Sequence, residues 1–198
     1  MVIRDVNELV DLIDAKRQIE AIKIISVDGI NGSGKTYISK ILCNRLGMVY
    51  FDVDELYMEK NKGRYIDFVK YQNLKDDISK FVSNGKTVLI DAVCVLQILD
   101  NINANSDLKI YVKRLQYWNY WFDGEKFDYT RSIDKVIQQD KKELEIFSEL
   151  ENKIEKKNKN PRIEYSTNSL FHDILRYHFK YKPDINSDII FERLKDKC

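Results

Sequence analysis

A glycine-rich run at residues 29–36 has the residue types and the spacing to bind phosphate. The run reads GINGSGKT, which satisfies the pattern G-x-x-x-x-G-K-[S/T], and it directly follows the β-branched run IKIISVD. Glycines at these positions let backbone N–H groups turn inward around phosphate oxygens, and the following helix adds the partial positive charge of its N-terminus. The run therefore predicts a phosphate-binding loop, the Walker A motif, between a strand and a helix.

The side chains of this loop predict a nucleoside triphosphate and a magnesium ion as its ligands. Lys35 can reach the β- and γ-phosphates of ATP or GTP, and the hydroxyl of Thr36 suits Mg²⁺. A dinucleotide-binding GxGxxG fingerprint is disfavoured, because counted from Gly32 it requires glycine at position 37, where the chain has Tyr37. We assign nucleotide binding to Gly29, Asn31, Gly32, Ser33, Gly34, Lys35, Thr36 and Tyr37.

Two carboxylates follow in the run FDVDELY, at the end of the second predicted strand. Strand alternation predicts that Asp52 and Asp54 lie on one face, at the same sheet edge as the phosphate loop. A phosphotransferase needs a carboxylate to accept or orient the proton of an acceptor hydroxyl, and we expect one of the two to do so. The alternative is that either residue simply caps the following helix.

A third carboxylate, Asp91, ends the β-branched run TVLID. This arrangement is typical of a Walker B residue, which holds magnesium directly or through water. The alternative is an ordinary turn aspartate. With Thr36, Asp91 completes the predicted magnesium site.

The aromatic segment QYWNYWFDGEKFDYTR suggests a lid over the site. Arg131 is its best candidate for contacting the transferring phosphoryl group, since it stands at the junction with the following charged helix. That helix presents either a solvated face or a phosphate-facing arm of the lid. We assign no role to His172 and His178. Less specific basic alternatives to Arg131 are Lys113, Arg114, Lys135, Lys141 and Lys142.

Alternating strands and helices must position these residues, which predicts an α/β fold with a parallel sheet covered on both faces. Ligands then bind at the carboxyl ends of the strands, where the motifs above fall. Strands are predicted at residues 21–29, 48–54, 86–96, 107–114 and 187–194. Helices are predicted at 5–18, 37–46, 64–83, 132–160 and 169–181.

Length and composition predict one domain over residues 1–198, with the lid and its helical region at about 115–160. The formal net charge of +1 gives no overall field to attract nucleic acid or an anionic membrane. Three cysteines without CxxC spacing, and no apolar run long enough to span a membrane, predict a soluble cytoplasmic protein. The sequence leaves open whether the protein forms a homo-oligomer.

The motifs resemble those of the uridine kinase and nicotinamide riboside kinase group of P-loop kinases. The resemblance lies in the run DGINGSGKT and in the DxxY motif that begins at Asp54 and ends at Tyr57. It implies that Asp54, in preference to Asp52, acts as base toward a sugar hydroxyl, while Tyr57 lines the acceptor pocket. We assign substrate binding to Asp52 and Tyr57. It also implies a P-loop NTPase three-layer sandwich with five parallel strands in the order 2-3-1-4-5. Ala92 replaces the usual glycine, and the paired arginines expected after the fourth strand are missing from QYWNYWFDGE.

These observations favour a kinase that transfers the γ-phosphoryl group of ATP or GTP to a hydroxyl of a small, nucleoside-like acceptor. Two alternatives stay open. One is a regulatory NTPase that reports bound nucleotide to a protein partner. The other is a kinase acting on nucleic acid ends, which the near-zero net charge disfavours although lysines at 153, 156, 157 and 159 could form a local groove.

Overall fold

A computed structural model describes residues 1–58, 64–116, 120–155 and 169–194 of the chain. Its six strands form one sheet, and every neighbouring pair of strands is parallel. The sheet order is β1-β6-β5-β2-β4-β3. The strands are β1 (Val2–Ile3), β2 (Ile24–Asp28), β3 (Val49–Asp52), β4 (Val88–Asp91), β5 (Leu108–Leu115) and β6 (Ile189–Leu194).

Helices connect these strands. They are α1 (Val6–Ile19), α2 (Lys35–Leu46), α3 (Val53–Leu56), α4 (Tyr71–Ser83), α5 (Val95–Asn101), α6 (Ile133–Glu155), α7 (Ser169–Tyr181) and α8 (Pro183–Asn186). Short 3₁₀ helices lie at Tyr65–Phe68 and Phe122–Phe127. No helix in the described ranges is both long enough and apolar enough to cross a membrane.

Both faces of the sheet are buried, which explains why its strands are nearly continuous hydrophobic runs. Strand β4 shows the alternation. Leu89 packs in a core with α1 and α2, whereas Val88 and Ile90 pack in a second core with α4 and α5. Helices therefore cover both sides of the sheet, as the α/β prediction requires.

The five predicted strands occur in the predicted order, but the sheet has six strands and the prediction of five was wrong. The additional strand is β1, in which Val2 and Ile3 pair with Ile190 and Phe191 of β6 at the sheet edge. Two residues are too few to give a visible alternation pattern. This pairing extends the sheet beyond the last strand of the chain.

Three predicted boundaries also need correction. The predicted helix at 64–83 is a 3₁₀ turn followed by α4, because Val69 adopts extended backbone angles between them. The predicted strand at 86–96 ends at Asp91, and helix α5 follows. Strand β3 ends at Asp52, so Asp54 belongs to α3 and strand alternation does not relate the two carboxylates. Residues 156–160 of the predicted charged helix lie outside the described residues.

Candidate active site

The phosphate loop joins β2 to α2, as its sequence pattern predicts. Gly29 has a φ of 147°, and a Cβ there would lie 2.6 Å from the carbonyl oxygen of Val112. Gly34 has a φ of 100°, and its Cβ would lie 2.6 Å from Nη1 of Arg193. Both positions therefore exclude a side chain, which keeps the backbone of the loop close to its neighbours.

Ser33 is fully buried inside this loop, and its Oγ has no hydrogen-bond partner among the described residues. A buried hydroxyl without a partner costs free energy unless a ligand or water satisfies it. Asn31, Thr36 and Tyr37 lie exposed along the same loop and the first turn of α2. The loop thus combines an accessible rim with an unsatisfied polar group inside, which fits a phosphate-bearing ligand.

Lys35 is the cation of the site. Its side chain is only 7% exposed, and Nζ donates a hydrogen bond to the carbonyl oxygen of Ile30 at 3.1 Å. Burial lowers the pKa of Lys35, while the negative charges of Asp28, Asp54 and Asp91 oppose that shift. Three carboxylates from three different segments therefore lie within electrostatic reach of one buried ammonium group.

Asp28, the last residue of β2, is a site residue that the sequence patterns did not single out. It is buried, and it accepts hydrogen bonds from the backbone N–H of Gly29 at 2.7 Å and from the hydroxyl of Tyr177. Burial raises the pKa of Asp28 to about 7, because removal from water disfavours the carboxylate more than its hydrogen bonds favour it. Its position at a strand end directly before the loop was the available signal.

Asp52 and Asp91 face each other in register on the neighbouring strands β3 and β4. The hydroxyl of Tyr50 lies between them, 3.2 Å from Oδ2 of Asp52 and 3.0 Å from Oδ2 of Asp91. Burial raises the pKa of Asp91 to about 6, and the charge of Asp52 adds to the shift. Asp52 also caps α3, since its Oδ1 accepts from the backbone N–H of Glu55 at 3.1 Å.

Asp54 stands in the first turn of α3, where its carboxylate accepts a hydrogen bond from the hydroxyl of Tyr65. Part of the side chain is open to solvent, yet desolvation by the surrounding protein raises its pKa. Tyr57 lies in the core beneath, and its hydroxyl donates to Asp77 of α4 at 2.8 Å. Direct contact between the Tyr57 hydroxyl and an acceptor would require that hydrogen bond to open.

Two arginines flank the phosphate loop at the ends of β5 and β6. Arg114 and Arg193 are paired in the strand register, and Nη1 of Arg114 donates to the carbonyl oxygen of Gly32 at 3.3 Å. The guanidinium of Arg193 lies over the ring of Tyr37, 5.1 Å from its centroid. In the sequence Arg114 was only a less specific candidate and Arg193 was missed. Only the parallel pairing of β5 with β6 brings these two arginines together.

The lid residues form a cluster of their own. Arg131 donates to Oε1 of Gln139 at 2.5 Å and lines a cavity of about 180 Å³ with Lys126 and Asp140. Within the described residues, no contact joins Arg131 to the phosphate loop. The structure therefore does not bring the predicted lid arginine to Lys35.

Aromatic rings anchor the lid to α7. His178 is buried there, stacked on Phe127 with ring centroids 4.2 Å apart. Its Nδ1 lies 2.8 Å from the carbonyl oxygen of Ile174, so Nδ1 carries the proton and Nε2 accepts from the hydroxyl of Tyr111. Burial lowers the pKa of His178 to about 4, which keeps the ring neutral.

The acidic groups fit a magnesium ion that is held mainly by a nucleotide. The described residues contain no group of three or more His, Cys, Asp or Glu side chains that could bind a metal ion. Mg²⁺ in nucleotide sites keeps several waters and binds through phosphates and one or two protein ligands. The exposed hydroxyl of Thr36 and the carboxylate of Asp91 suit that mode of binding.

No family model matches the chain. It is 33% identical over 73 residues to a protein of Methanocaldococcus jannaschii named putative adenylate kinase, a match that covers 34% of this chain and 41% of that protein. A protein of the same name from Thermococcus onnurineus is 38% identical over 72 residues, covering 34% of this chain and 39% of that protein. The chain thus spans about two fifths of the length of the curated relatives it matches.

A solved structure described as a possible uridine kinase from Bacillus stearothermophilus superposes on most of the chain. The superposition covers 93% of this chain and 98% of the other, with 9% sequence identity and a TM-score of 0.45.

Proposed function

We propose that this chain is a P-loop kinase that transfers the γ-phosphoryl group of MgATP or MgGTP to a hydroxyl of a small, nucleoside-like acceptor. One observation carries the proposal: Lys35 of the phosphate loop is buried, and the negative charges of Asp28, Asp54 and Asp91 act on its ammonium group. Phosphoryl transfer depends on positioning and on charge stabilisation, and this arrangement can supply both. We further propose that residues 1–198 act as one domain in the cytoplasm.

In this proposal the loop binds the nucleotide. The backbone N–H groups of residues 29–36 hold the phosphates, and the buried Oγ of Ser33 gains a partner that it otherwise lacks. Lys35 exchanges its hydrogen bond to Ile30 for the β- and γ-phosphates. Thr36 and Asp91 hold the magnesium ion, which neutralises charge on the phosphates when bound. Tyr37 contacts the nucleotide beside Arg193.

Asp54 is the base in this proposal. Its raised pKa makes the carboxylate a better proton acceptor near neutral pH, and the hydrogen bond from Tyr65 fixes its orientation. Asp52 supports the acceptor side through its cap on α3 and its link to Asp91 through Tyr50. Tyr57 supports, from the core, the segment that carries Asp52 and Asp54. Arg131 approaches the phosphates only if the lid closes.

A second candidate concerns the acceptor. The relatives named putative adenylate kinase favour a nucleoside monophosphate such as adenylate, so that phosphate oxygen and not hydroxyl receives the phosphoryl group. The catalytic carboxylate would then matter less, because a phosphate acceptor has no hydroxyl proton to remove near neutral pH. Lys35 and the loop would act in the same way in both reactions.

The test is acceptor-stimulated release of ADP or GDP. The protein is incubated with MgATP or MgGTP and a panel of nucleosides, sugars, vitamins and nucleoside monophosphates. We expect stimulation by a nucleoside or sugar, whereas stimulation by AMP alone would select the second candidate. A raised melting temperature with MgATP, but hydrolysis that no panel member changes, would favour a regulatory NTPase instead.

A further inference from the structure

A cavity of about 170 Å³ lies between the 3₁₀ turn at Tyr65–Phe68, helix α5 and helix α7. It is separate from the phosphate loop and from the lid cavity around Arg131. Its lining combines three cationic side chains with apolar and polar groups. The cationic residues are Arg64, Arg176 and Lys180, and the lining residues used below are Ile66, Cys94 and Asp173.

The charged side chains that line the cavity do not balance, because three are cationic and one is anionic. Asp173 is its single carboxylate, and it is buried and accepts from the backbone N–H of Tyr65 at 3.3 Å. Arg64 and Arg176 approach its Oδ1 only to 3.5 Å and 3.6 Å, longer than a charged hydrogen bond of about 2.8 Å. Neither guanidinium has another side-chain partner within the described residues. With more than half of each side chain exposed, both guanidinium groups present N–H donors to solvent among the described residues.

The cavity wall and its size restrict that ligand. Ile66 and Cys94 give the wall an apolar part, while the exposed arginines lie toward solvent at 58% and 53% of their side-chain area. Pockets for drug-sized ligands measure about 300 to 1,000 Å³, so this cavity suits a compact molecule with one anionic end.

The cavity adjoins the proposed reaction site through three links. Tyr65, between the lining residues Arg64 and Ile66, donates to Asp54. Tyr177 lines the cavity and donates to Asp28, directly before the phosphate loop. The thiol of Cys94 lies within electrostatic reach of both Lys35 and Asp54. The cavity is therefore connected, through Tyr65, to the carboxylate that we propose as the base.

We propose that this cavity binds an oxyanion group of the acceptor, a carboxylate or a phosphate, through Arg64, Arg176 and Lys180. The inference rests on the proposed kinase function and refines it: the acceptor is a compact anionic molecule whose hydroxyl is presented to Asp54. Two guanidinium groups and an ammonium group suit either oxyanion, since all three donate charged hydrogen bonds.

Matched pairs of acceptors test the proposal. The pairs are glycerol and glycerate, ribose and ribose 5-phosphate, and uridine and uridine 5′-monophosphate. Acceptor-stimulated ADP release is measured with MgATP, and the melting temperature is measured with each compound alone. We expect the anionic member of at least one pair to exceed its neutral partner about 10-fold to 100-fold in kcat/KM. Glycerate alone would identify a carboxylate and ribose 5-phosphate a phosphate, whereas stimulation by uridine 5′-monophosphate alone would overturn the inference in favour of the nucleoside monophosphate reaction.

Variants connect that preference to the cavity. Arg176→Gln and Arg64→Gln should each raise the KM for the anionic acceptor about 10-fold while leaving the KM for MgATP unchanged. Lys75→Gln, on the exposed face of α4 and outside the cavity, is the matched control and should change neither. Loss of Arg176 removes positive charge from beside the buried carboxylate of Asp173, so Arg176→Gln could fail to fold. In that case Lys180→Gln, which does not contact Asp173, replaces it as the test variant.

The outcomes separate this inference from the proposed function. Neutral members that equal their anionic partners in every pair, or an unchanged KM in folded Arg64→Gln and Lys180→Gln, would overturn the anionic subsite and leave the kinase proposal standing. Failure of the kinase proposal has another signature. In that case no compound stimulates ADP release, while anionic members still raise the melting temperature of the protein and do so less in Arg64→Gln. If no compound changes either ADP release or the melting temperature, both the kinase proposal and the anionic subsite are overturned.

Discussion

The hydroxyl of Tyr177 donates a hydrogen bond to the carboxylate of Asp28, although 149 residues separate the two in sequence. The same hydroxyl lies 3.3 Å from the backbone nitrogen of Leu96 and accepts from it. Helix α7 is thereby joined to the last residue before the phosphate loop and to the first turn of α5. Both Asp28 and Tyr177 are only 2% exposed, so neither can turn to water instead.

Tyr177→Phe should therefore lower the free energy of unfolding by about 1 to 3 kcal/mol, because it leaves a buried carboxyl group without one of its two donors. The loss is measured by urea denaturation. Tyr181→Phe is the matched control on the same helix, since its hydroxyl donates to Asp100 at the exposed surface. An equal loss in both variants would contradict a special role for the contact with Asp28.

Asp28→Asn should change how stability depends on pH. The folded-state pKa of about 7 lies above the ordinary aspartate value of 3.8, so the folded protein binds the proton more tightly than the unfolded chain. The stability that protonated Asp28 contributes is complete below about pH 4 and is lost as pH rises toward 7. From pH 5 to pH 8 this loss amounts to about 2 to 3 kcal/mol.

Urea denaturation at pH 5 and pH 8 measures the difference. Other groups also titrate across this interval in the wild type: Asp91, with its pKa raised to about 6, loses stability as pH rises, whereas His178, with its pKa lowered to about 4, gains it. The comparison is therefore the change from pH 5 to pH 8 in the wild type minus the same change in Asp28→Asn, and it should be a loss of about 2 to 3 kcal/mol. A slope as steep as in the wild type would show that Asp28 is ionised throughout the interval.

Lys35→Met should reduce phosphoryl transfer by about 100-fold to 1,000-fold or more, because methionine keeps the length of the side chain and removes the charge at the transferring group. The measurement is steady-state ADP release with a stimulating acceptor. Lys40→Met, on the exposed face of the same helix, should retain activity. Because Lys35 is buried among carboxylates, urea denaturation of both variants checks that any loss of activity is not loss of the fold. Near-normal turnover in Lys35→Met would remove the basis of the kinase proposal.

Asp54→Asn should slow transfer to a hydroxyl acceptor by about 100-fold to 10,000-fold, the usual contribution of a positioned proton acceptor. Its nucleotide affinity, followed by the melting shift with MgATP, should change far less. Asp52→Asn is the paired variant, and it should change turnover and stability little, because the amide oxygen of asparagine can still cap α3. Normal turnover in Asp54→Asn with loss of turnover in Asp52→Asn would make Asp52 the base.

Arg193→Gln should weaken nucleotide binding about 10-fold, because the guanidinium lies beside Gly34 and over Tyr37 at the edge of the phosphate loop. Titration of the intrinsic fluorescence with MgATP gives the Kd. Arg45→Gln, whose side chain contacts Asn7 away from the loop, is the matched control. An unchanged Kd in Arg193→Gln would limit this arginine to packing against the loop.

Local patterns were sufficient to predict the centre of the molecule. Strand β2, the phosphate loop and α2 are consecutive, and the glycine spacing of the loop has one structural solution that follows a strand and opens a helix. Helix α7 was predicted with its observed bounds because its apolar period is strong and Pro183 follows it. In each case the information lies within about twenty residues.

The features that were missed depend on distant contacts or on unusual backbone angles. Helix α5 follows Cys94, which has a φ of 63°, and a cysteine in that conformation gives no sequence signal for a turn. Arg193 reaches the phosphate loop only because β6 pairs with β5. The pKa of Asp28 is raised because the carboxyl group is buried, and its partner Tyr177 lies far along the chain. No short segment of the sequence contains the partners that these features depend on.

The contact between Asp28 and Tyr177 also affects how the protein is made. During synthesis the phosphate loop leaves the ribosome well before its partners on α7 and β6. Contacts between distant parts of a chain form late, because a long loop must close before they contribute. A nascent chain that ends before α7 should therefore contain the complete Walker A sequence and still lack an assembled nucleotide site. We therefore expect nucleotide to stabilise the nascent chain only after α7 and β6 have been translated.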